Sequence, residues 1–228
     1  MVGDNGSLNQ EIYDQSWSGE HFGPNGMLWK AKRRYRREVA EGNLTGALSA
    51  LSSSYYTASG NAFSRWKLAK WQLWWLWRAA WCAFQAKCKS DRFARIVPKD
   101  QMSSGQACVR SSILITFKQY GEAKKLLEFM LRTQALLDDD QALLLINHAK
   151  VAKAEGYFGL AHSTLNEAVA LENNLKPTTR VRLYRALGEL WGREGNRQEA
   201  ESCFFAAATI AEEEGLHDQS LKILTNLQ

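Results

Sequence analysis

The sequence predicts an all-α fold in which antiparallel helix pairs stack into an α-solenoid. Three observations carry this. Only three prolines occur in 228 residues while Ala, Leu, Glu and Arg are abundant, a composition that favours long helices over a turn-rich β-sandwich. Short turns marked by glycine separate the helical segments, at Tyr120-Gly121, Gly156-Tyr157, Gly195-Asn196 and Gly215-Leu216; connections of a few residues force neighbouring helices antiparallel. The helix pair recurs every 38 to 39 residues, a period typical of helical repeats.

Residues 1–26, rich in Gly, Asn and Ser without a helical period, are expected to form a flexible arm. A first helix from Met27 to about Glu41 carries the basic run Lys30, Lys32, Arg33, Arg34, Arg36 and Arg37, and Gly42-Asn43 breaks it. Leu44 to Tyr56 reads as a second helix, Ser59-Gly60 as a turn, and Phe63 to about Lys87 as a third helix. Pro98 interrupts helical hydrogen bonding and marks a boundary. It separates a basic, Trp-rich region, 27–99, from paired helices over 103–228. The expected pairs are 103–117 with 120–134, 139–155 with 158–172, and 178–194 with 197–213, followed by a capping helix over about 217–227. Asp138-Asp139-Asp140 precedes the helix at Gln141, where carboxylates cap free amides and meet the positive end of the dipole. A metal site is the competing reading of the triplet; no metal and no cofactor is expected.

Charge is distributed unevenly. From Trp29 to Lys99 there are fifteen Lys and Arg against Glu38, Glu41 and Asp91, a net +12, although the whole chain is only +5. Such a block raises encounter rates with nucleic acid, anionic lipid or an acidic protein face. Four cysteines, Cys82, Cys88, Cys108 and Cys203, fit no zinc or ferredoxin spacing and read as reduced thiols of an intracellular protein. The start MVGDNGSLNQ has neither a basic n-region nor an apolar h-region, so no secretory signal is expected.

The stretch Arg65 to Lys87 holds six of the nine tryptophans. At about 100° per residue, Lys67, Lys70, Arg78 and Gln85 share a narrow stripe interleaved by Trp71, Trp74 and Trp81. Trp66, Leu73, Leu76, Trp77, Ala80 and Phe84 form the opposite face. Three readings compete: a central solenoid helix covered on both flanks, an interfacial membrane helix, and a nucleic-acid platform on which indoles stack with bases. The apolar stretch from Trp71 to Phe84 has 14 residues and contains Arg78, short of the ~20 that a bilayer needs.

The segment from Val181 to Glu214 resembles a tetratricopeptide repeat. Tyr184, Leu187, Gly188, Trp191, Gly195, Ala200, Phe204 and Ala207 fall on that family's pattern positions, and Glu212 replaces the usual proline. One repeat earlier Ala142, Leu145, Ala149, Ala152, Gly156, Ala161, Leu165 and Ala168 match more loosely, with His148 where leucine is usual. Gly188 and Ala200 are small where two helices approach closely, and Phe204 and Trp191 fill the space beside them. The resemblance implies a right-handed solenoid whose first helices line a concave groove. It also implies a non-enzymatic protein that binds a protein segment there.

Groove-facing positions of the first helices include Asn147, Lys150, Lys153, Arg182, Arg185, Glu189 and Arg193, five of them basic. Asn147 followed by Arg182 resembles part of the carboxylate clamp that some members of the family use, whereas Cys108 and Ser112 occupy two other clamp positions. No GxGxxG, GxxxxGK[ST], GxSxG or HExxH motif occurs, and His21, His148, His162 and His217 are scattered. The expected function is an adaptor whose groove captures an acidic protein segment, while the basic Trp-rich helices dock on an anionic or apolar surface. The alternative is an RNA- or DNA-binding helical-repeat protein that uses those same helices.

Overall fold

The computed structural model describes residues 24–68 and 73–216, and every regular element among them is helical. The chain divides into two compact units, Met1–Ile96 and Val97–Gln228.

The first unit contains α1 (Pro24–Ala40), α2 (Leu44–Leu68) and α3 (Leu73–Ile96); α2 packs against both others. Helix α1 begins three residues before the expected Met27, at Pro24, whose fixed φ suits a helix start. It ends at Gly42, in the left-handed region at φ +80°, and the Asn43 amide donates back to the Glu38 carbonyl at 2.8 Å. The Asn43 side chain then accepts from the Gly46 amide at 3.0 Å and starts α2. The turn expected at Ser59-Gly60 is absent: α2 runs through it. Ala58 and Ala62 are fully buried on either side, and the Ser59 hydroxyl donates to the Ala79 carbonyl of α3 at 2.8 Å. Tertiary packing overrides the local breaker there. The helix expected over Phe63–Lys87 is accordingly shared between the end of α2 and the start of α3. Residues 69–72, including Lys70 and Trp71, lie outside the described residues, as do 1–23 of the expected arm and the expected capping helix at 217–227.

The second unit contains three helix pairs: α4 (Ser104–Thr116) with α5 (Tyr120–Thr133), α6 (Asp138–Glu155) with α7 (Phe158–Ala170), and α8 (Pro177–Glu194) with α9 (Arg197–Glu213). Short 3-10 turns occupy Lys99–Gln101 and Glu172–Asn174. Helix α6 packs on α4, α5, α7 and α8, so successive pairs share a continuous core. Its centre is Leu145, Ile146, Ala149, Leu165, Leu183 and Leu190. The first helices end alike, in the left-handed region, at Lys118 (φ +58°), Gly156 (φ +87°) and Gly195 (φ +84°). Gly121, expected in a turn, lies inside α5; the turn is at Lys118.

Polar contacts between pairs recur at a nearly constant offset, slightly shorter than the repeat period of the sequence. Ser104 donates to Asp140 (2.6 Å), Asn147 to Ser111 (2.9 Å), Asn174 to Asp138 (2.6 Å), the Lys176 amide to Asp139 (2.9 Å), and Lys153 to Glu189 (2.9 Å). Each joins residues 36 or 37 apart. The Asp138–Asp140 triplet thus has a different role from the capping role expected of it. All three residues lie in the first turn of α6 behind Leu137, which makes no side-chain cap, and their carboxylates reach across to the neighbouring pairs.

Small residues set the close approach of α8 and α9. A Cβ added at Gly188 would lie 3.0 Å from the Phe204 ring and 3.1 Å from the Ala200 carbonyl oxygen; at Gly192 it would meet only the Ala200 Cβ, at 3.7 Å. Gly188→Ala is therefore expected to destabilise by about 1–2 kcal/mol, since overpacking exceeds the gain in helix propensity. Gly192→Ala, one turn later, is expected to stabilise by about 0.5–1 kcal/mol. Thermal melts followed by circular dichroism check the opposite signs; a Gly188→Ala melt at or above wild type contradicts the close approach.

Candidate functional site

The cations of α6 and α8 converge on one carboxylate. Lys153 Nζ lies 2.9 Å from Glu189 Oε2, and the Arg185 guanidinium is 3.8 Å from Glu189 Oε1. Lys150 sits beside the same pair, and with Lys153 it lines a narrow crevice over Ala149, Leu165, Ala186 and Leu190. Burial pushes the Glu189 carboxyl up, but Lys153, Lys150 and Arg185 together outweigh it and hold the group below its ordinary value. Burial pushes the Lys150 amine down; Glu189 opposes this and Arg185 adds to it. Among the described residues Lys150 has no carboxylate within 4 Å, and Arg185 Nε is buried without a hydrogen-bond partner. Three cations thus share one anion in a half-covered place, where ion pairs are worth more than on an open surface.

Asn147 is on α6 but is not free to hold a ligand. It is buried, and its Nδ2 donates to Ser111 Oγ (2.9 Å), Ser112 Oγ (3.0 Å) and the Cys108 carbonyl (3.1 Å). The clamp-like position is used to fasten α6 to α4. Arg182 is exposed and close enough to Cys108 to act on its thiol. Burial nonetheless pushes that thiol up against the pull of Arg182 and Lys150, so it stays protonated at neutral pH and is a poor nucleophile. Arg193, at the other end of α8, is exposed and enters none of these contacts. The face therefore gathers Lys150, Lys153 and Arg185, with Arg182 beside Cys108; it leaves Arg193 apart and withdraws Asn147.

His148 and His162 have separate partners. His148 lies 3.5 Å from the Thr164 hydroxyl and burial pushes it down. His162 contacts Glu194 at 2.6 Å and packs its ring 4.3 Å from Trp191, tying α7 to α8.

In the first unit the basic run is exposed on α1: Lys30, Lys32, Arg33, Arg34, Arg36 and Arg37 all face solvent, with Arg34 paired to Glu38. On α3 the expected division of faces does not hold. Ala79, Cys82, Ala86, Ser90 and Phe93 are buried, while Trp77, Trp81 and Phe84 are 64%, 49% and 53% exposed. Trp77 and Phe84, placed opposite the basic stripe by the sequence reading, are at the surface beside Trp81. Arg78 is half-buried. The helix is therefore not apolar all round and covered on both flanks. Lys70 and Trp71 lie outside the described residues, and so do the side chains of Lys67 and Trp74.

Sequence reasoning placed Glu189 on the groove side, yet missed its role as the shared counter-ion. It also missed Ser111 as the partner of Asn147, and Trp77 and Phe84 as surface residues. The 36-residue offsets of Ser111 to Asn147 and Lys153 to Glu189 were the available signal for the first two. The chain matches no protein-family model, and no curated protein matches it.

Proposed function

We propose that the chain is a non-enzymatic adaptor whose second unit captures an acidic protein segment on the face formed by α6 and α8, with α4 alongside. The observation that carries this reading is the excess of cations around Glu189: Lys150, Lys153 and Arg185 share a single carboxylate. Carboxylates of an incoming segment would supply the missing counter-charge with charge-assisted hydrogen bonds. The tetratricopeptide-like residues of α8 and α9 support the same reading, because that family binds protein segments along its first helices. On the same face the Cys108 sulfur is held as a thiol.

The test is fluorescence anisotropy with labelled deca-glutamate, and deca-lysine as the control. The Lys150→Ala, Arg182→Ala pair is expected to weaken deca-glutamate binding about tenfold or more with helicity unchanged, each charge contributing roughly 1 kcal/mol. Unchanged binding refutes the assignment. A pH profile gives a second check. Because the Lys150 amine titrates below the ordinary 10.5, affinity should begin to fall at a lower pH than for exposed lysines, and Lys150→Arg should remove that early loss.

A further inference from the structure

We propose that the exposed aromatic face of α3 is a docking surface for an anionic lipid bilayer, on which the helix lies flat in the interface. This inference concerns the first unit and does not rest on the acidic-segment reading of the second.

Among its described side chains, helix α3 is turned inside out with respect to residue size. The buried ones are mainly small, Ala79, Cys82, Ala86 and Ser90, together with Phe93, while two indoles and a phenyl ring stand in solvent. Trp77, Trp81 and Phe84 recur at i, i+4 and i+7, so they form one stripe. The indoles of Trp77 and Trp81 are nearly parallel, 7° apart with centroids at 6.1 Å, and the Phe84 ring follows at 6.4 Å. The stripe continues toward the end of the helix through exposed Cys88, Arg92 and Arg95. An exposed, contiguous aromatic surface of this kind marks an interaction site.

Charge decides the occupant. The region from Trp29 to Lys99 carries fifteen basic and three acidic residues. Two of those acids are engaged: Glu38 is buried against Arg34, and Asp91 pairs with Lys87. A second copy that presents this same region would bring the same positive field against this face and be repelled. An anionic headgroup layer attracts it, and indoles prefer the depth at which headgroups meet acyl chains. No helix among the described residues is long and apolar enough to cross a membrane, so the surface lies on the bilayer rather than spanning it. No base inserts between the two indoles, because that needs about two stacking distances of 3.4 Å and the gap between the Trp77 and Trp81 planes cannot exceed their 6.1 Å centroid separation.

The test is flotation of the full chain with vesicles of 70% phosphatidylcholine and 30% phosphatidylserine, against phosphatidylcholine alone. Binding to the anionic vesicles should be at least about tenfold stronger. It should fall about tenfold in the Trp77→Ser, Trp81→Ser, Phe84→Ser variant and again in Arg92→Glu, Arg95→Glu. The Lys150→Ala, Arg182→Ala pair should leave flotation unchanged, which separates this surface from the second unit. If the serine variant does not fold, wild-type tryptophan emission still reports: dibrominated phosphatidylcholine in the anionic vesicles should quench it. No flotation, no quenching, or flotation insensitive to the α3 variants overturns the proposal. So does binding of a uridine 20-mer, or a dimer in sedimentation equilibrium, that is lost with the aromatic residues while vesicles remain unbound.

Discussion

Glu189→Gln is expected to tighten capture of an acidic peptide while lowering stability. The carboxylate occupies, from within the molecule, the position that a ligand's own acid would compete for: Lys153 is 2.9 Å away, Arg185 3.8 Å, and Lys150 sits alongside. Removing its charge frees these cations for deca-glutamate, and affinity should rise about three- to tenfold, roughly 0.7–1.4 kcal/mol. The same change leaves Lys153 and Arg185, both half-covered, without their counter-ion. Fully buried pairs cost about 3–5 kcal/mol when one partner is removed; the solvent still reaching both sides reduces this to about 1–2 kcal/mol. The pH response has a definite sign. The folded-state value of Glu189 is lowered, so its contribution is complete above the ordinary carboxylate value of 4.5 and is lost as pH falls through the folded value. As pH falls through and below 4.5, wild type should therefore lose stability more steeply than Glu189→Gln. Weaker peptide binding in this variant, measured by anisotropy, would remove Glu189 from the role of internal competitor.

Asn147→Ala should produce the largest loss of stability without changing ligand affinity. Its amide joins Ser111, Ser112 and the Cys108 carbonyl at 2.9–3.1 Å in the seam between α4 and α6. Truncation removes these bonds, leaves a void in a buried seam and strands polar groups there, for a cost of about 2–4 kcal/mol. At about 3–4 °C per kcal/mol for a unit of this size, the midpoint should fall by roughly 6–16 °C. Well below that midpoint, deca-glutamate affinity should match wild type. A tenfold loss of affinity with an unchanged midpoint would restore Asn147 to the ligand-binding role that its position suggested.

These two residues show what was readable in advance. Both stood on the groove side by helical geometry alone, because side-chain direction on a helix follows from its 3.6-residue turn. The pairs in the second unit were readable for the same reason: apolar period and turn residues act within a few positions of one another. The small-residue contact at Gly188 was legible too, and the structure places the Phe204 ring and Ala200 carbonyl against it. Not readable was which polar atoms meet across repeats, since Asn147 and Ser111 are 36 residues apart.

In the first unit the limit is sharper. Ser59-Gly60 is a breaker by local rules, but its effect depends on whether a neighbour covers the helix, and α3 does so through the bond from Ser59 to Ala79. The tryptophans likewise fit, by composition, a covered helix, an interfacial helix or a base-stacking platform. The sequence by itself determined helices, their pairing and the positive charge of the first 99 residues, because these depend on short-range periodicity and on counting. Only the tertiary structure decided which face of each helix is covered. That choice is made by close packing of alanines between α2 and α3, and it leaves Trp77, Trp81 and Phe84 outside.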